Sequence, residues 1–326
     1  MNNINILDCT LRDGGYYNNW NFSKKFINEY LYSIKSAKIN YVELGFSQIK
    51  KNKNNGICYN VDNSLINNLK IPNGLNIGIM INAKDILIKD NSPDKFRKYI
   101  FNKNISLIRI ACHFNEINNV LPYLKKLRSN KYKLAINLMQ ISEQSDQKIS
   151  NIIKKLSNEK IDIIYFADSL GCMVKKNINK VIKIIKSNCN FKIGFHAHDN
   201  LGKAKSNVEY SIINGVDWID TTVLGMGRGA GNAKTEDFVN KVNKPIITAL
   251  IKKNFLKLNK KYKWGHNKFY NLSAKHKIHP SYIQEISQNI NFNEKKFLKA
   301  INLLKKKKSN NFSFKNLNKI VKAVTL

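Results

Sequence analysis

Two hydrophobic periods take turns along this chain. Short apolar runs rich in β-branched residues occur at Ile4–Asp8, Tyr41–Gly45, Leu75–Ile81, Leu107–Cys112, Lys133–Leu138, Ile161–Asp168, Phe191–His198 and Trp218–Thr222. Between them, Ser23–Lys38, Ser92–Phe101, Ile117–Leu127, Gln147–Leu156, Lys176–Lys186 and Leu201–Ile213 carry apolar residues at three- and four-residue spacing, with lysines on the opposite face. Strand-like runs separated by amphipathic helices are the signature of repeated βα units and a parallel sheet. The runs start roughly 25 to 40 residues apart and together cover about 220 residues, which matches a minimal (β/α)8 barrel. The pattern therefore predicts an α/β fold, a (β/α)8 TIM barrel.

After Thr222 the pattern changes. A glycine-rich loop, Gly225–Asn232, leads into helical periodicity that continues to the end with no further clear strand. This predicts a barrel over residues 1–240 and a helical C-terminal extension over 241–326. The loop is not a dinucleotide fingerprint, because it follows the last barrel strand and no βαβ unit with a ribose-binding acid comes after it. Its glycines are expected to let it fold over the barrel mouth, with Arg228 facing an anionic group.

Composition changes this picture little. The formal net charge is +34, from 56 Lys+Arg against 22 Asp+Glu, a balance that in isolation suggests a nucleic-acid partner. The lysines are instead spread through the chain together with asparagine and isoleucine, as AT-rich codon usage produces, and no arginine-rich, aromatic-interleaved stripe is present. No nucleic-acid partner is expected, although a positive field would draw in an anionic substrate. The five cysteines are an odd number without a C-x-x-C pair, which argues against a disulfide framework or cysteine zinc site and fits a reducing cytoplasm. The N-terminus lacks the features of a secretion signal, no apolar run has membrane-spanning length, and no membrane partner is expected.

In such a barrel the active site lies where the strands end at their carboxyl side. The first run hands over from Asp8 to Thr10, Arg12 and Asp13; the second ends at Glu43 and the fourth at His113. The fifth leads to Asn137 and Gln140, the sixth to Asp168 and Ser169, the seventh to His196 and His198, and the eighth to Thr222. Residues i and i+2 on a strand share a face, so both imidazoles should enter the barrel together. With an acid and an arginine from the first run nearby, a divalent metal explains that pairing. The plainer readings are a turn or helix cap for Asp13, a packed, hydrogen-bonded ring for His113, and core or interface packing for Trp264, His266, His276 and His279.

Leu7–Gly14, Gly194–Asn200, and Gly225–Asn232 followed by Thr235–Glu236 resemble the DRE-TIM metallolyase superfamily, the proteins with a pyruvate carboxyltransferase-like domain. The group includes 4-hydroxy-2-oxovalerate aldolases, hydroxymethylglutaryl-CoA lyases, and isopropylmalate and homocitrate synthases. The likeness covers about residues 1–240, with three motifs in order on the expected strands. It implies that Asp13, His196 and His198 are metal ligands, joined by Asn232 from the loop after the eighth strand. Arg12 matches the arginine that neutralises the substrate carbonyl oxygen as it becomes an enolate. The implied cofactor is a divalent metal, Mn²⁺ ahead of Mg²⁺, Co²⁺ or Zn²⁺.

Departures from the pattern choose among members. The aldolases place a histidine base three residues after the metal-binding aspartate, where this chain has Tyr16. The base is left among Tyr16, Glu43, His113 and Asp168, with Glu43 and His113 favoured because each ends a strand. Asp168, Thr222 and Arg228 are expected to bind substrate. The loop Val223–Asn232 lacks the cysteine of the hydroxymethylglutaryl-CoA lyases, and the roughly 85 residues after the barrel are too few for a synthase's regulatory domain. The expected function is a metal-dependent aldolase or lyase that cleaves or forms a carbon–carbon bond of a 2-oxo acid through a metal-bound enolate, closest to 4-hydroxy-2-oxovalerate aldolase. A Claisen-type acyl-CoA condensing enzyme is the alternative, and a catalytically inactive basic binding or scaffold protein the alternative of another class. A homodimer is expected, and the resemblance to the aldolases implies an aldehyde dehydrogenase partner.

Overall fold

The structure, a computed structural model, describes residues 4–49, 51–88, 92–100, 104–289 and 293–325. Eight strands, β1 (Asn5–Asp8), β2 (Tyr41–Phe46), β3 (Asn76–Asn82), β4 (Ile105–Cys112), β5 (Lys133–Leu138), β6 (Ile163–Asp168), β7 (Lys192–Ala197) and β8 (Trp218–Thr221), pair in sequence order and close into one barrel. Every pairing is parallel, including the closing pair of β1 with β8. The fold is the expected TIM barrel with extra C-terminal helices. The helix expected over Ser92–Phe101 spans Pro93–Ile100, and Phe101 lies outside the described residues.

Helices begin where the sequence offers caps. Ser23 accepts from the backbone N–H of Phe26 ahead of Lys24–Ser36, and Ser145 from that of Lys148 ahead of Asp146–Ser157, each satisfying one of the N–H groups a helix start leaves open. The buried stripe of Lys24–Ser36, at Ile27, Tyr30, Leu31 and Ile34, follows the 3.6-residue period and packs on the barrel, leaving its lysines toward solvent.

One face of each strand packs against the helices, and the other fills the barrel. The interior begins with an apolar floor in which Tyr41 meets Trp218 edge-on, ring centroids 4.6 Å apart, beside Leu7, Leu107 and Ile163. Two residues further along the same strands the interior turns polar, at Glu43, Arg109 and Asp220. Gly194 makes room there: a Cβ at this position would lie 2.3 Å from the Tyr165 ring. One expectation is corrected, because β2 runs on to Phe46. Glu43 is thus a mid-strand residue in the barrel interior and does not end its strand.

The barrel core extends into Ile247, Phe255 and Trp264. A second core, built around Tyr282, Ile283, Phe297, Ile301 and Leu304, holds the remaining helices together, and Ala230 of the glycine-rich loop belongs to it. The loop is therefore packed from outside as well as from the barrel. Gly229 donates its N–H to Gln284 Oε1 at 2.8 Å, and Gln284 Nε2 donates to the Tyr16 carbonyl at 2.9 Å. Ile283 is fully buried in the second core, so Ile283→Ala is expected to cost about 2–4 kcal/mol of stability. Chemical denaturation checks this, and a cost below about 1 kcal/mol would mean the helices are loosely packed.

Candidate metal centre and barrel mouth

Above the apolar floor lies a ring of buried charges. Arg109 on β4 donates to Glu43 from Nε at 2.7 Å and Nη2 at 2.8 Å, and to Asp220 Oδ2 on β8 from Nη1 at 2.7 Å. Its guanidinium stacks 4.5 Å from the Tyr165 ring centroid. Arg12, in the short helix Thr10–Asp13 after β1, donates from Nε to Glu43 Oε2 at 2.7 Å and from Nη1 to Asp13 Oδ1 at 2.6 Å. The ring closes through His196, whose Nδ1 meets Asp220 Oδ2 at 2.9 Å and whose Nε2 lies 3.6 Å from Asp13 Oδ2.

All these groups are buried, and the three carboxylates are kept charged by their neighbours. Burial alone would raise the pKa of Glu43, but Arg109 and Arg12 bring it below the ordinary carboxylate value. Burial opposes ionisation of Asp220 too, and Arg109 with His196 overcomes it. For Asp13 the opposing burial is outweighed by Arg12, the two histidines and a short hydrogen bond from Asn232. Such groups ionise in an interior only when paired and hydrogen-bonded.

Asp13, His196 and His198 each offer a ligand atom, all within 4.8 Å of one another. Asp220, an acceptor once ionised, fixes the His196 proton on Nδ1 and turns the Nε2 lone pair inward. His198 Nε2 lies 3.1 Å from that nitrogen. Burial and then the charge of Arg228 press the His198 pKa well below its ordinary value, so its ring is neutral. Two imidazole nitrogens and a carboxylate oxygen converging in a buried pocket suit a divalent ion with open positions. Asn232 sits beside them with a buried Oδ1 that has no partner among the described residues. Gly227 explains how the loop comes so near: a Cβ there would lie 2.5 Å from Asn232 Nδ2 and 3.0 Å from Asp13 Oδ2.

The other expected site residues are placed as follows. Tyr16 stands at the mouth in the turn after Asp13, 36% exposed, its ring edge-on to Trp20 and 5.7 Å from the Arg228 guanidinium. His113 follows β4 and lines a cavity of about 260 Å³ with Gln140, Gln144 and Asn311. Burial lowers its pKa, with Lys84 and Arg228 acting in the same direction and Glu116 against them. Thr222 is buried after β8, its Oγ1 without a partner among the described residues. Asp168 and Glu43 are engaged elsewhere. Asp168 accepts the backbone N–H groups of Cys172 at 2.9 Å and Met173 at 3.0 Å and so closes its own loop. Glu43 has both oxygens engaged by the two arginines.

Sequence reading missed Arg109 and Asp220, which complete the ring. The signal was present, since each is a charge within an apolar strand run on the inward-facing register. His279, expected to serve packing, also accepts a hydrogen bond from Arg228 Nη1 at 2.7 Å.

A closed parallel barrel with a carboxylate, two imidazoles and an arginine at its carboxyl-end mouth defines a class, the TIM-barrel metal-dependent lyases. The family model described as HMGL-like matches residues 3–258, and the chain belongs to that family. It is 23% identical over 236 residues to the oxaloacetate decarboxylase of Mycobacterium tuberculosis, covering 72% of this chain and 68% of that protein. It is 25% identical over 240 residues to a 4-hydroxy-2-oxovalerate aldolase of Bacillus cereus, covering 72% and 67%. Among solved structures, "the N-terminal domain of a putative aldolase from Bacteroides vulgatus" superposes with a TM-score of 0.76 at 28% identity, over 88% of this chain and 97% of that one. The carboxyl transferase domain of Rhizobium etli pyruvate carboxylase, TM-score 0.67 at 14% identity over 87% and 52%, shares the fold. The protein is a metal-dependent carbon–carbon lyase of the DRE-TIM type.

Two outcomes are expected from this geometry. Asp220→Asn removes the acceptor that orients His196 and should weaken metal affinity about 10- to 100-fold, as read by a chelator competition titration. Asp168 has its pKa pushed up to about 7 by burial, against the backbone N–H groups that lower it. A carboxyl that holds its proton more tightly folded than unfolded contributes most below its ordinary value near 4, and that contribution fades as pH rises through 7. Melting temperatures of wild type and Asp168→Asn should therefore diverge in pH dependence between about pH 4 and 7, the wild type alone losing this contribution. Parallel curves would show that Asp168 titrates normally.

Proposed function

We propose that this protein is an aldolase acting on a 4-hydroxy-2-oxo acid, with Mn²⁺ ahead of Mg²⁺, Co²⁺ or Zn²⁺ as its ion. The observation that carries the reading is Arg12. Glu43 and Asp13 lock its Nε and Nη1, while its Nη2 is buried without a partner among the described residues. A donor fixed this way costs no reorganisation when negative charge develops on a substrate oxygen. Asp13, His196 and His198, with Asn232 beside them, would hold a divalent ion, which would supply Lewis acidity toward the 2-oxo acid's carbonyl.

The chain's own groups carry the remaining steps. Thr222 Oγ1 and Asn137 Oδ1, both buried and unpartnered among the described residues, orient the substrate's polar end. An imidazole nitrogen of His113 takes the proton of the 4-hydroxyl as the C3–C4 bond breaks and an aldehyde leaves. Its lowered pKa keeps the ring neutral and ready for that proton. The proton is then delivered to C3 of the remaining fragment, which leaves as a shorter 2-oxo acid, while Arg12 steadies the carbonyl oxygen throughout. Glu43 acts as a positioning residue for Arg12.

A second reading, loss of CO₂ from a 2-oxo diacid, is favoured by Tyr16. That step needs no base for a hydroxyl proton, and the M. tuberculosis relative is named an oxaloacetate decarboxylase.

The test is a screen of the Mn²⁺-loaded protein for pyruvate release from 4-hydroxy-2-oxo acids and for CO₂ release from 2-oxo diacids. Arg12→Lys should lower kcat by about 10²- to 10³-fold. Asp13→Asn and His196→Ala should lose both bound metal and turnover while staying folded. Thiol release from acetyl-CoA, with no cleavage of any 2-oxo acid alone, would overturn the proposal in favour of a condensing enzyme.

A further inference from the structure

We propose that Arg228, set in place by His279 of the helical extension, recognises a second anionic group, so that the substrate is a dianionic 2-oxo acid. This rests on the reading of the site as one for 2-oxo acids.

Among the described residues, every hydrogen-bond partner of Arg228 is uncharged. Nη1 donates to His279 Nε2 at 2.7 Å, Nη2 donates to the Ser169 carbonyl at 3.2 Å, and the guanidinium lies 5.7 Å from the Tyr16 ring centroid. Guanidinium only donates, so His279 must present a lone pair at Nε2 and be neutral. Burial and the charge of Arg228 push the His279 pKa in the same direction. The Arg228 Nε is buried without a partner, and no carboxylate pairs with the side chain among the described residues. A half-buried guanidinium with an open donor and no counter-ion is suited to a carboxylate brought by a ligand.

Its position is that of a substrate's far end. Gly227, the preceding residue, packs onto Asp13, and the Arg228 guanidinium faces Tyr16 at the mouth. The loop cannot back away, because Gly229 donates to Gln284 and faces Pro280, where a Cβ on Gly229 would lie 2.6 Å from the proline Cβ. Charge points the same way. In the ring, Asp13, Glu43 and Asp220 outnumber Arg12 and Arg109 by one. A divalent ion turns that into one positive charge, and Arg228 makes two. A dianion balances them, whereas a monoanion leaves a buried excess.

Calorimetric titration of the Mn²⁺-loaded full chain with 2-oxoglutarate and 2-oxopentanoate tests this, since the two share a chain length and differ only in the distal carboxylate. The wild type should bind 2-oxoglutarate about tenfold or more tightly, as a charge-assisted contact predicts. Arg228→Gln should abolish that preference, and Arg228→Lys should keep part of it. His279→Ala should shrink the preference and His279→Gln, which can still accept from Arg228, should restore part of it. Equal binding of the two acids by the wild type, or an undiminished preference in Arg228→Gln, overturns the assignment. Failure of both acids to bind would instead overturn the underlying 2-oxo acid reading.

Discussion

The structure depends on one constraint, that five charged groups and a histidine share the dry centre of the barrel. Arg109, fully buried on β4, is the keystone, bridging Glu43 on β2 and Asp220 on β8. A buried carboxylate or guanidinium without its partner would be strongly destabilising, so the alternation of acid and base fixes which strands must face one another. The same alternation leads to the candidate metal centre: Glu43 orients Arg12, Asp220 orients His196, and both meet at Asp13. Stability and chemistry use one set of contacts, with the structural groups below and the reacting groups above.

The mouth over this centre is built by segments far apart in sequence. The glycine-rich loop lies on Asp13 and Asn232 through Gly227, and the helical extension holds that loop through Ala230, Gln284 and His279. Tyr16 and Tyr17 complete the wall, with the Tyr17 hydroxyl donating to the Gly229 carbonyl at 2.6 Å. The extension thereby reaches the site without contributing to the metal ligands.

Much of this was legible in the chain itself. Strand runs repeated at one βα unit each specify a parallel barrel, because period and spacing are local properties. His196 and His198 are readable as a pair because alternation on a strand puts them on one face. The partners of Glu43 were not legible, because the two arginines it pairs with come from other segments and neither is a neighbour in sequence. The partners of Asp168 were not legible either, because a strand-end acid that closes its own loop has the same residue pattern as one that does not, and only the fold brings the Cys172 and Met173 N–H groups to it.

The sequence by itself determined the barrel, the strand ends at which chemistry could occur and the residue types able to hold a divalent ion. All of these follow from periodicity and side-chain chemistry. Tertiary structure decided which charges pair, which donors are left open and what covers the mouth. Arg12 has a free Nη2 because Glu43 and Asp13 occupy its other nitrogens, and Arg228 meets His279 because a separate helical core carries that histidine to the loop. Pairing in a low-dielectric interior is a matter of distances of about 3 Å between remote residues, and no local pattern in the chain encodes those distances.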